Sequence, residues 1–497
     1  MNATRGMNNS GRYRGLWLVL MVCAGVGLFA GASSAAVTAI KAGTVHVGDG
    51  RTLENGVVLI EDGRITAVGT DVSIPDGATI IEMPRGHVSP GLIDANARVE
   101  SRDLVPTEPR RGRWLAPLLA CKTHTGEVAC SCSGLILCRL ADMHSQLDED
   151  QICPVCGFPA PPGLHDLISG VRQNAAASPT EATAEVVPHT MMIDSVNLRS
   201  PDFTRLARGG VTTVYAAADN AAVIGPRGAV VHTAGSFRER IMLEAADVQA
   251  AMGTDTFRIG GGNAPPFRNF VSYRTRRPGS RMGVAWVFRK AFYDARNAAL
   301  GHEIGGADTP PEPAIQVLQD VLDGDIPLRI AARSQKDIEG AIRLTEEFGL
   351  EFTLLEGTEA HTAIDKLRET ETPVIFGPIM MERTGFGSEP QARLTTFHDL
   401  VEAGIPTALS ARDLREEDGL ARQAMYARRS GVELGDVMRA VTQVPAGLLG
   451  IEETHGTVES GKHADLVIWS GEPFTSTTRP EIVMIKGRIV IDHRSDT

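Results

Sequence analysis

Cysteine and histidine residues with the spacing of metal ligands fall in one segment of the chain. Cys153 and Cys156 stand three apart in Cys-Pro-Val-Cys-Gly, a pattern that turns two thiolates toward one ion. Cys121 and His124 have matching spacing, and Cys130-Ser131-Cys132 is a looser alternative for the second half of the site. Thiolate and imidazole are preferred zinc ligands. The segment therefore predicts a structural zinc site held by Cys121, His124, Cys153 and Cys156, which would fold the segment without catalysing a reaction.

Disulfide bonds are the alternative for the same segment, which contains an even number of cysteines. They are Cys121, Cys130, Cys132, Cys138, Cys153 and Cys156. Small exported modules normally pair such cysteines, and residues 1–36 predict export. The Cys-Pro-x-Cys-Gly pattern resembles the metal-binding knuckle of zinc ribbons and rubredoxins, which favours a metal. Both interpretations stay open.

A second set of polar residues lies in Ser89–Arg98, which reads SPGLIDANAR. This stretch resembles the first barrel strand of the amidohydrolase superfamily, whose signature is PG(L/F)IDxHxH. In that family the two histidines point the same way from one strand and hold a catalytic metal. Asn96 and Arg98 occupy the matching positions here. Because arginine has no lone pair to donate and is positively charged, it is a poor substitute for a metal ligand.

The later ligand positions that the resemblance implies are also substituted. The family takes one histidine each from strands five and six and an aspartate from strand eight, and its metal lowers the pKa of bound water to about 7. The matching positions fall on Ala331, on Glu356 within LLEGTEA, and on Arg412, with Asp413 one place late. All five positions differ from the family pattern. We therefore expect no catalytic metal in the barrel.

Arginines at two of these positions suggest what replaces the metal. Two unit charges about 4 Å apart interact by roughly 4 kcal/mol at an effective dielectric near 20, so a divalent cation beside Arg98 and Arg412 would be repelled. We expect these arginines to pair with Glu356 or Asp413. Two interpretations stay open, namely an internal salt-bridge cluster without a ligand, or a pocket whose arginines bind a carboxylate or phosphate.

Three other histidines are not expected to rebuild a metal site. The pattern places His87 in a loop, His232 on a strand away from the family's metal, and His361 on the helix after strand six. None has a second ligand close to it in sequence.

Short strands separated by turns occur at both ends of the chain. Asp62-Gly63 between alternating apolar residues is a strong hairpin signal, and the C-terminal stretch TVESGKHADLVIW resembles the closing motif of the same family. Each end is too short to bury a core alone. The resemblance implies an α/β fold in which residues 37–88 and 455–497 form one composite β-sandwich. Residues 89–454 would form a (β/α)8 TIM barrel, interrupted by a Cys-rich, zinc-ribbon-like insert at 101–190.

Apolar runs separated by helical stretches place several of the barrel elements. The predicted strands are Leu92–Ala95, Val211–Ala216, Leu328–Ala332, Glu351–Leu355, Pro373–Phe376 and Pro406–Ser410, and the predicted helices include Gln335–Phe348 and Leu434–Val444.

Composition and the N-terminus limit the partners and the location. The 497-residue chain has a net charge of −12, which argues against nucleic acid or an anionic membrane surface as a partner. Arginines precede the apolar run Leu16–Ala32, and small residues follow it, which is the order of a secretory signal. An uncleaved membrane anchor is the alternative. We expect an exported protein, periplasmic or anchored and facing outside the cytoplasm.

Three functions follow from these observations. By family the chain would hydrolyse non-peptide C–N bonds, but the substituted ligands favour a degenerate pseudoenzyme with an arginine-lined pocket for an anionic small molecule. An active metal-dependent hydrolase with rerouted ligands is the first alternative. An interaction scaffold working through the Cys-rich insert is the second. A homodimer is one assembly that the sequence allows.

Overall fold

The computed structural model describes residues 37–99, 184–256, 278–306, 309–379, 393–412 and 419–496. The N-terminal segment, the predicted zinc ligands Cys121, His124, Cys153 and Cys156, and Asp413 lie outside the described residues. The strands are β1 (Thr38–His46), β2 (Thr52–Glu54), β3 (Val57–Glu61), β4 (Arg64–Gly69), β5 (Thr79–Pro90), β6 (Leu92–Ala97), β7 (Val211–Ala216), β8 (Ile224–Arg227), β9 (Ala229–His232), β10 (Ile241–Leu243), β11 (Val248–Ala251), β12 (Leu328–Ala332), β13 (Thr353–Glu356), β14 (Val374–Phe376), β15 (Thr407–Leu409), β16 (Leu466–Trp469), β17 (Pro480–Ile485) and β18 (Arg488–Asp492).

Helices alternate with the later strands. They are α1 (Pro201–Arg208), α2 (Phe237–Arg240), α3 (Arg281–Ala299), α4 (Glu312–Leu322), α5 (Gln335–Phe348), α6 (Ile364–Glu369), α7 (Thr396–Glu402), α8 (Gly419–Arg429), α9 (Leu434–Val441) and α10 (Gln443–Leu448). Within the described ranges, no helix combines the length and the apolar composition needed to cross a membrane.

Strands from both chain ends form one sheet, ordered β18-β17-β16-β5-β1-β3-β4 with β2 beside β1. The long strand β5 joins the two ends because it runs parallel to β1 and antiparallel to β16. Its inner face packs into a core that includes Ile40, Val88 and Leu466. At the end of β5, the indole Nε1 of Trp469 donates to Ser89 Oγ over 2.9 Å.

The hairpin predicted at Asp62-Gly63 is confirmed, since β3 and β4 pair antiparallel across these two residues. Both residues have positive φ, +50° and +77°. This is the backbone of the tight turn that suits the twist of a hairpin, and Asp and Gly tolerate it better than other residues do.

The remaining strands form two sheets, one ordered β10-β9-β7-β6 and one ordered β15-β14-β13-β12-β11-β8. Strands β11 to β15 are mutually parallel, as are β6 and β7. Their free edges meet where Arg98 N donates to Arg412 O over 3.1 Å and Ser410 Oγ donates to Asp94 over 2.8 Å. Side chains from both sheets, among them Ile93, form one buried cluster. The helices pack against a second, larger cluster.

The six predicted strands are confirmed within two residues at each end, and α5 has the predicted bounds. The helix predicted over Leu434–Val444 is wrong in its last part, because α9 ends at Val441 and α10 begins at Gln443. Pro445 accounts for the break, since its ring excludes the preceding turn of a continuous helix and it has no N–H to donate. The short strands β8, β10 and β11 were not predicted.

Candidate functional site

Charged and amide side chains gather where the parallel strands end. Asp94 and Asn96 lie on β6, Arg333 follows β12, Glu356 is the last residue of β13, and Arg412 follows β15. The carboxyl ends of parallel strands share one edge of a sheet, which brings these residues together. We call these five residues the strand-end cluster. All but Arg333 are at least nine-tenths buried.

Glu356 is the centre of this cluster. Its Oε1 lies 2.9 Å from Arg412 Nε and accepts a hydrogen bond from Asn220 Nδ2 over 2.7 Å. Its Oε2 pairs with Arg333 Nε. Burial alone would raise the pKa of Glu356, but the two guanidinium groups outweigh burial and the pKa falls to about 2. Glu356 is therefore a carboxylate at neutral pH, and its charge is matched by the protein's own cations.

Asp94 and Asn96 tie the end of β6 to the segment after β15. Asp94 accepts hydrogen bonds from Ser410 Oγ at 2.8 Å and from the Ala411 N–H at 3.0 Å. Asn96 Oδ1 accepts from Arg412 Nη1 at 3.0 Å. Burial raises the pKa of Asp94, and these hydrogen bonds partly offset that effect. The same contacts therefore close the gap between two sheets and orient Arg412.

The structure brings together three of the sequence-predicted residues, Asn96, Glu356 and Arg412. Arg98 lies beside them, where its Nη2 is 4.0 Å from Asp219 Oδ2, and its side chain is partly exposed. Ala331 is buried among the apolar side chains enclosed by the strands.

Sequence reasoning missed Arg333, which pairs with both Glu356 and Asp255, the latter at 2.9 Å. Its position two residues after Ala331 was a usable signal. Side chains two apart at a strand end point the same way.

A catalytic divalent metal of the kind implied by the family resemblance does not fit these residues. Glu356, the one carboxylate at a substituted ligand position within the described residues, already interacts with two guanidinium groups through its two oxygens. A metal there would displace Arg333 or Arg412 and leave a buried cation uncompensated. We therefore derive no metal-dependent step at this site.

The three histidines named from the sequence have partners in the structure. His87 was placed in a loop, which is wrong, because it lies on β5 with Nδ1 3.0 Å from His46 Nε2. His361 lies in a short 3-10 helix, Ala360–Thr362, and hydrogen-bonds Thr396 at 3.1 Å. His232 was expected to have no second ligand close to it in sequence, and its neighbours in space come from a distant part of the chain. It ends β9 beside two histidines from the C-terminal part of the chain.

Comparison with known proteins finds similarity to amidohydrolases. Residues 403–491 match a family model described as the amidohydrolase family. The chain is 24% identical over 396 residues to amidohydrolase tasK of Hapsidospora irregularis, which covers 71% of this chain and 36% of that protein. It is 33% identical over 79 residues to an imidazolonepropionase of Thermoplasma acidophilum, covering 15% of this chain and 19% of that protein. The chain thus spans well under two thirds of both curated relatives.

Similarity in structure extends further along the chain. A crystal structure of an amidohydrolase from Thermotoga maritima MSB8 superposes with a TM-score of 0.67 and 26% sequence identity. The match covers 92% of this chain and 100% of that one.

Proposed function

We propose that this chain, which belongs to the amidohydrolase superfamily on its imidazolonepropionase-like branch, is a non-hydrolytic member. By family it would hydrolyse non-peptide C–N bonds with a metal at the strand ends. In place of that metal, the strand-end cluster acts as an internal salt bridge that holds the strand ends together. The proposal treats the two strand sets as a closed (β/α)8 barrel and the sheet from both chain ends as its composite β domain.

The observation that supports this proposal is the environment of Glu356. It occupies the strand-six ligand position, and its charge is compensated by Arg333 and Arg412. A carboxylate that serves a metal must present a free lone pair to a cation, whereas this one is flanked by two guanidinium groups and an amide donor, whose net charge is positive. Placing a divalent cation about 4 Å from either arginine would cost roughly 8 kcal/mol of repulsion at an effective dielectric near 20.

Hydrolysis assays on amides, lactams and cyclic ureas test the proposal with the full chain, first freed of metal and then loaded with zinc or manganese. We expect no turnover above that of the solution without protein in either state. Asn96→Ala, which lies in the cluster, and Asn297→Ala, on an exposed face of α3, serve as the matched pair. Turnover that a chelator abolishes, and that Asn96→Ala removes while Asn297→Ala retains, would establish an active hydrolase with rerouted ligands instead.

A second candidate function is the binding of an anionic small molecule at the same place. The Nδ2 of Asn96 is a buried donor that has no hydrogen-bond partner among the described residues. Arg98 lies two residues further on the same side of the strand and is partly exposed. An amide donor beside a guanidinium suits a carboxylate or phosphate.

Calorimetric titration with acetate and inorganic phosphate tests this second candidate. We expect a saturable heat that Asn96→Ala weakens about tenfold and Asn297→Ala leaves unchanged. Equal heats for all three proteins would leave the internal salt bridge as the role of the cluster.

Export and the Cys-rich insert complete the proposal, and both rest on sequence alone. The charge and apolar order of residues 1–36 supports a protein acting outside the cytoplasm. The cysteine spacing supports a structural zinc that folds residues 101–190. If the insert is an interaction scaffold, deletion of residues 101–165 will leave the circular dichroism spectrum of a folded barrel and abolish capture of a partner. Loss of the folded spectrum would instead make the insert part of the core structure.

A further inference from the structure

A second polar group lies at the opposite end of the same strands. Asp465 O accepts from Gly91 N at 2.7 Å, immediately before β6 begins, and His232 is opposite Thr213 near the start of β7. Asn96 is five residues further along β6, about 16 Å away at the rise of a strand. His455 and His463 complete the group, and we call these two residues with His232 and Asp465 the histidine cluster. It is distinct from the strand-end cluster.

The separations within this cluster are those of groups that share one ion. One ring nitrogen from each histidine lies within 4.8 Å of the others. Asp465 Oδ2 lies 3.3 Å from His232 Nδ1 and 3.5 Å from His455 Nε2. Ligands at about 2.0–2.1 Å from a tetrahedral zinc are about 3.3 Å apart. The carboxylate oxygen is therefore already at ligand spacing from His232 Nδ1 and His455 Nε2, and closing the widest gap among the three histidines needs a shift of about 1.5 Å.

Three residues of the histidine cluster are almost fully buried, so water does not readily satisfy their polar atoms. His232 is 1% exposed, His455 5% and Asp465 6%. Within the part of the chain that the structure describes, His232 Nε2, His455 Nε2, His463 Nδ1 and Asp465 Oδ2 have no hydrogen-bond partner. Buried polar atoms are normally paired, so four unpaired atoms in one place indicate a missing group that accepts lone pairs.

The hydroxyl of Thr454 indicates which nitrogen of His455 has a lone pair available for a metal ion. Thr454 Oγ1 donates to Ile451 O at 3.3 Å and lies 2.7 Å from His455 Nδ1. When the hydroxyl donates to Ile451 O, Nδ1 carries the hydrogen and donates to Oγ1. The lone pair of His455 is then on Nε2, which faces Asp465. Fixing the tautomer through the second nitrogen is common among metal-binding histidines.

A cavity of about 300 Å³ borders the cluster and is lined by the three histidines, Met242, Ile451 and Lys486. It offers a route for an ion and room for the side chains to rotate. Lys486 lines the same cavity, and its Nζ donates to Glu239 O at 3.1 Å.

We propose that His232, His455, His463 and Asp465 bind a divalent transition metal, with zinc the ion that best suits three imidazoles and one carboxylate. The site joins the end of β9 to the segment before β16, so the ion would fasten the sheet built from both chain ends to the strands beneath it. This proposal for the histidine cluster depends neither on the proposed loss of hydrolysis nor on the predicted zinc in the Cys-rich insert.

Metal content per chain tests the proposal, measured on the full chain after chelation, reloading with zinc and desalting. Four proteins are compared: the unaltered chain, His455→Ala/His463→Ala, Cys153→Ser/Cys156→Ser, and the exposed-histidine control His302→Ala. We expect the double histidine variant to lose one zinc per chain that the cysteine variant and the control both retain. A folded double histidine variant with as much zinc as the unaltered chain would overturn the proposal.

A milder variant covers the case in which the double histidine variant does not fold. His463 is only half-buried, so His463→Gln is expected to keep the fold and to weaken zinc binding by ten- to a hundredfold, measured by competition with a chromogenic chelator. Affinity within threefold of the unaltered chain would overturn the proposal. Cobalt in place of zinc identifies the ligands, since this site predicts visible absorption without the near-ultraviolet band of cobalt–thiolate bonds. If the only cobalt spectrum is that of thiolate, the proposal is also wrong.

Discussion

The strand-end cluster and the histidine cluster both bury carboxylates, but they differ in what balances the charge. At the strand ends, Glu356 is surrounded by Arg333, Arg412 and an amide, and its pKa falls to about 2. At the other end, Asp465 faces two imidazoles without hydrogen-bond geometry, and burial raises its pKa to about 7. The first carboxylate is fully compensated by the protein. Among the described residues, no lysine or arginine forms an ion pair with the second, whose Oδ1 accepts a hydrogen bond from the Lys486 N–H at 2.7 Å.

Because of this difference, the ligand positions implied by the family resemblance and the unpaired ligand atoms lie in different parts of the fold. The family resemblance implies a metal at the strand ends, where this chain has guanidinium groups that cannot coordinate. The unpaired lone pairs lie on residues that position the C-terminal strands. A carboxylate near a strand end is thus a poor indicator of a metal site. Whether the nearest nitrogens are cationic or carry a lone pair is a better indicator.

Removing the central charge of the strand-end cluster is expected to have the largest effect on the free energy of unfolding. Glu356→Gln leaves Arg412, whose side chain is 4% exposed, and Arg333 without their shared counter-charge. Breaking one side of a buried pair costs roughly 3–5 kcal/mol. Urea unfolding of the variant measures the loss, with Glu369→Gln at the exposed end of α6 as the control, expected within about 0.5 kcal/mol of the unaltered chain. Equal stabilities for the two variants would mean that the cluster is not compensated as described.

The second largest effect is expected in the pH dependence of the free energy of unfolding, which distinguishes the two clusters. The folded pKa of Glu356 is depressed from 4.5 to about 2. Its contribution is therefore fully present above pH 4.5 and is lost as the pH falls toward 2. A shift of this size corresponds to about 3 kcal/mol. We expect the stability gap between the unaltered chain and Glu356→Gln to narrow over that window in urea titrations, and a gap independent of pH would contradict the ion pairs.

Zinc should stabilise through the histidine cluster alone. A ligand at a hundred times its dissociation constant stabilises the folded state by about 2.7 kcal/mol. The rise in unfolding midpoint with zinc, in the Cys153→Ser/Cys156→Ser background, is expected to fall by about half or more on adding His463→Gln and to persist on adding Asn96→Ala. Loss of the rise with Asn96→Ala would move the metal to the strand ends and reverse the comparison.

The smallest effect is expected where the strand-end cluster joins two sheets. Ser410→Ala removes the hydroxyl that donates to Asp94 at 2.8 Å in a fully buried position. The loss of one such bond, with one acceptor left short, costs about 1–2 kcal/mol. Thermal unfolding reports it against Ser73→Ala at an exposed position. A cost no greater than that of Ser73→Ala would show that the strand ends meet without this contact.

Much of the fold could be read from local pattern. The apolar runs of β12 and β14 and the turn at Asp62-Gly63 depend on neighbours in the sequence, so their positions were predictable within two residues. The short strands β8 and β10 were missed because three or four residues carry too little alternation to distinguish them from a loop. The break at Thr442 was missed although Pro445 was a visible signal for it.

By itself, the sequence determined which residue types stand at the ligand positions of the family that it resembles, because a motif assigns each position and the residue type there decides whether a lone pair exists. Asn96, Arg98, Ala331, Glu356 and Arg412 were therefore identifiable without coordinates. Tertiary structure decided which charges neutralise each other. Glu356 pairs with Arg333 and Arg412, which follow two different strands. Only the fold places His232 beside His455 and His463, roughly 220 residues later. Ion pairing and metal binding depend on distances of a few ångströms, and separation along the chain does not set those distances when strands from both ends share a sheet.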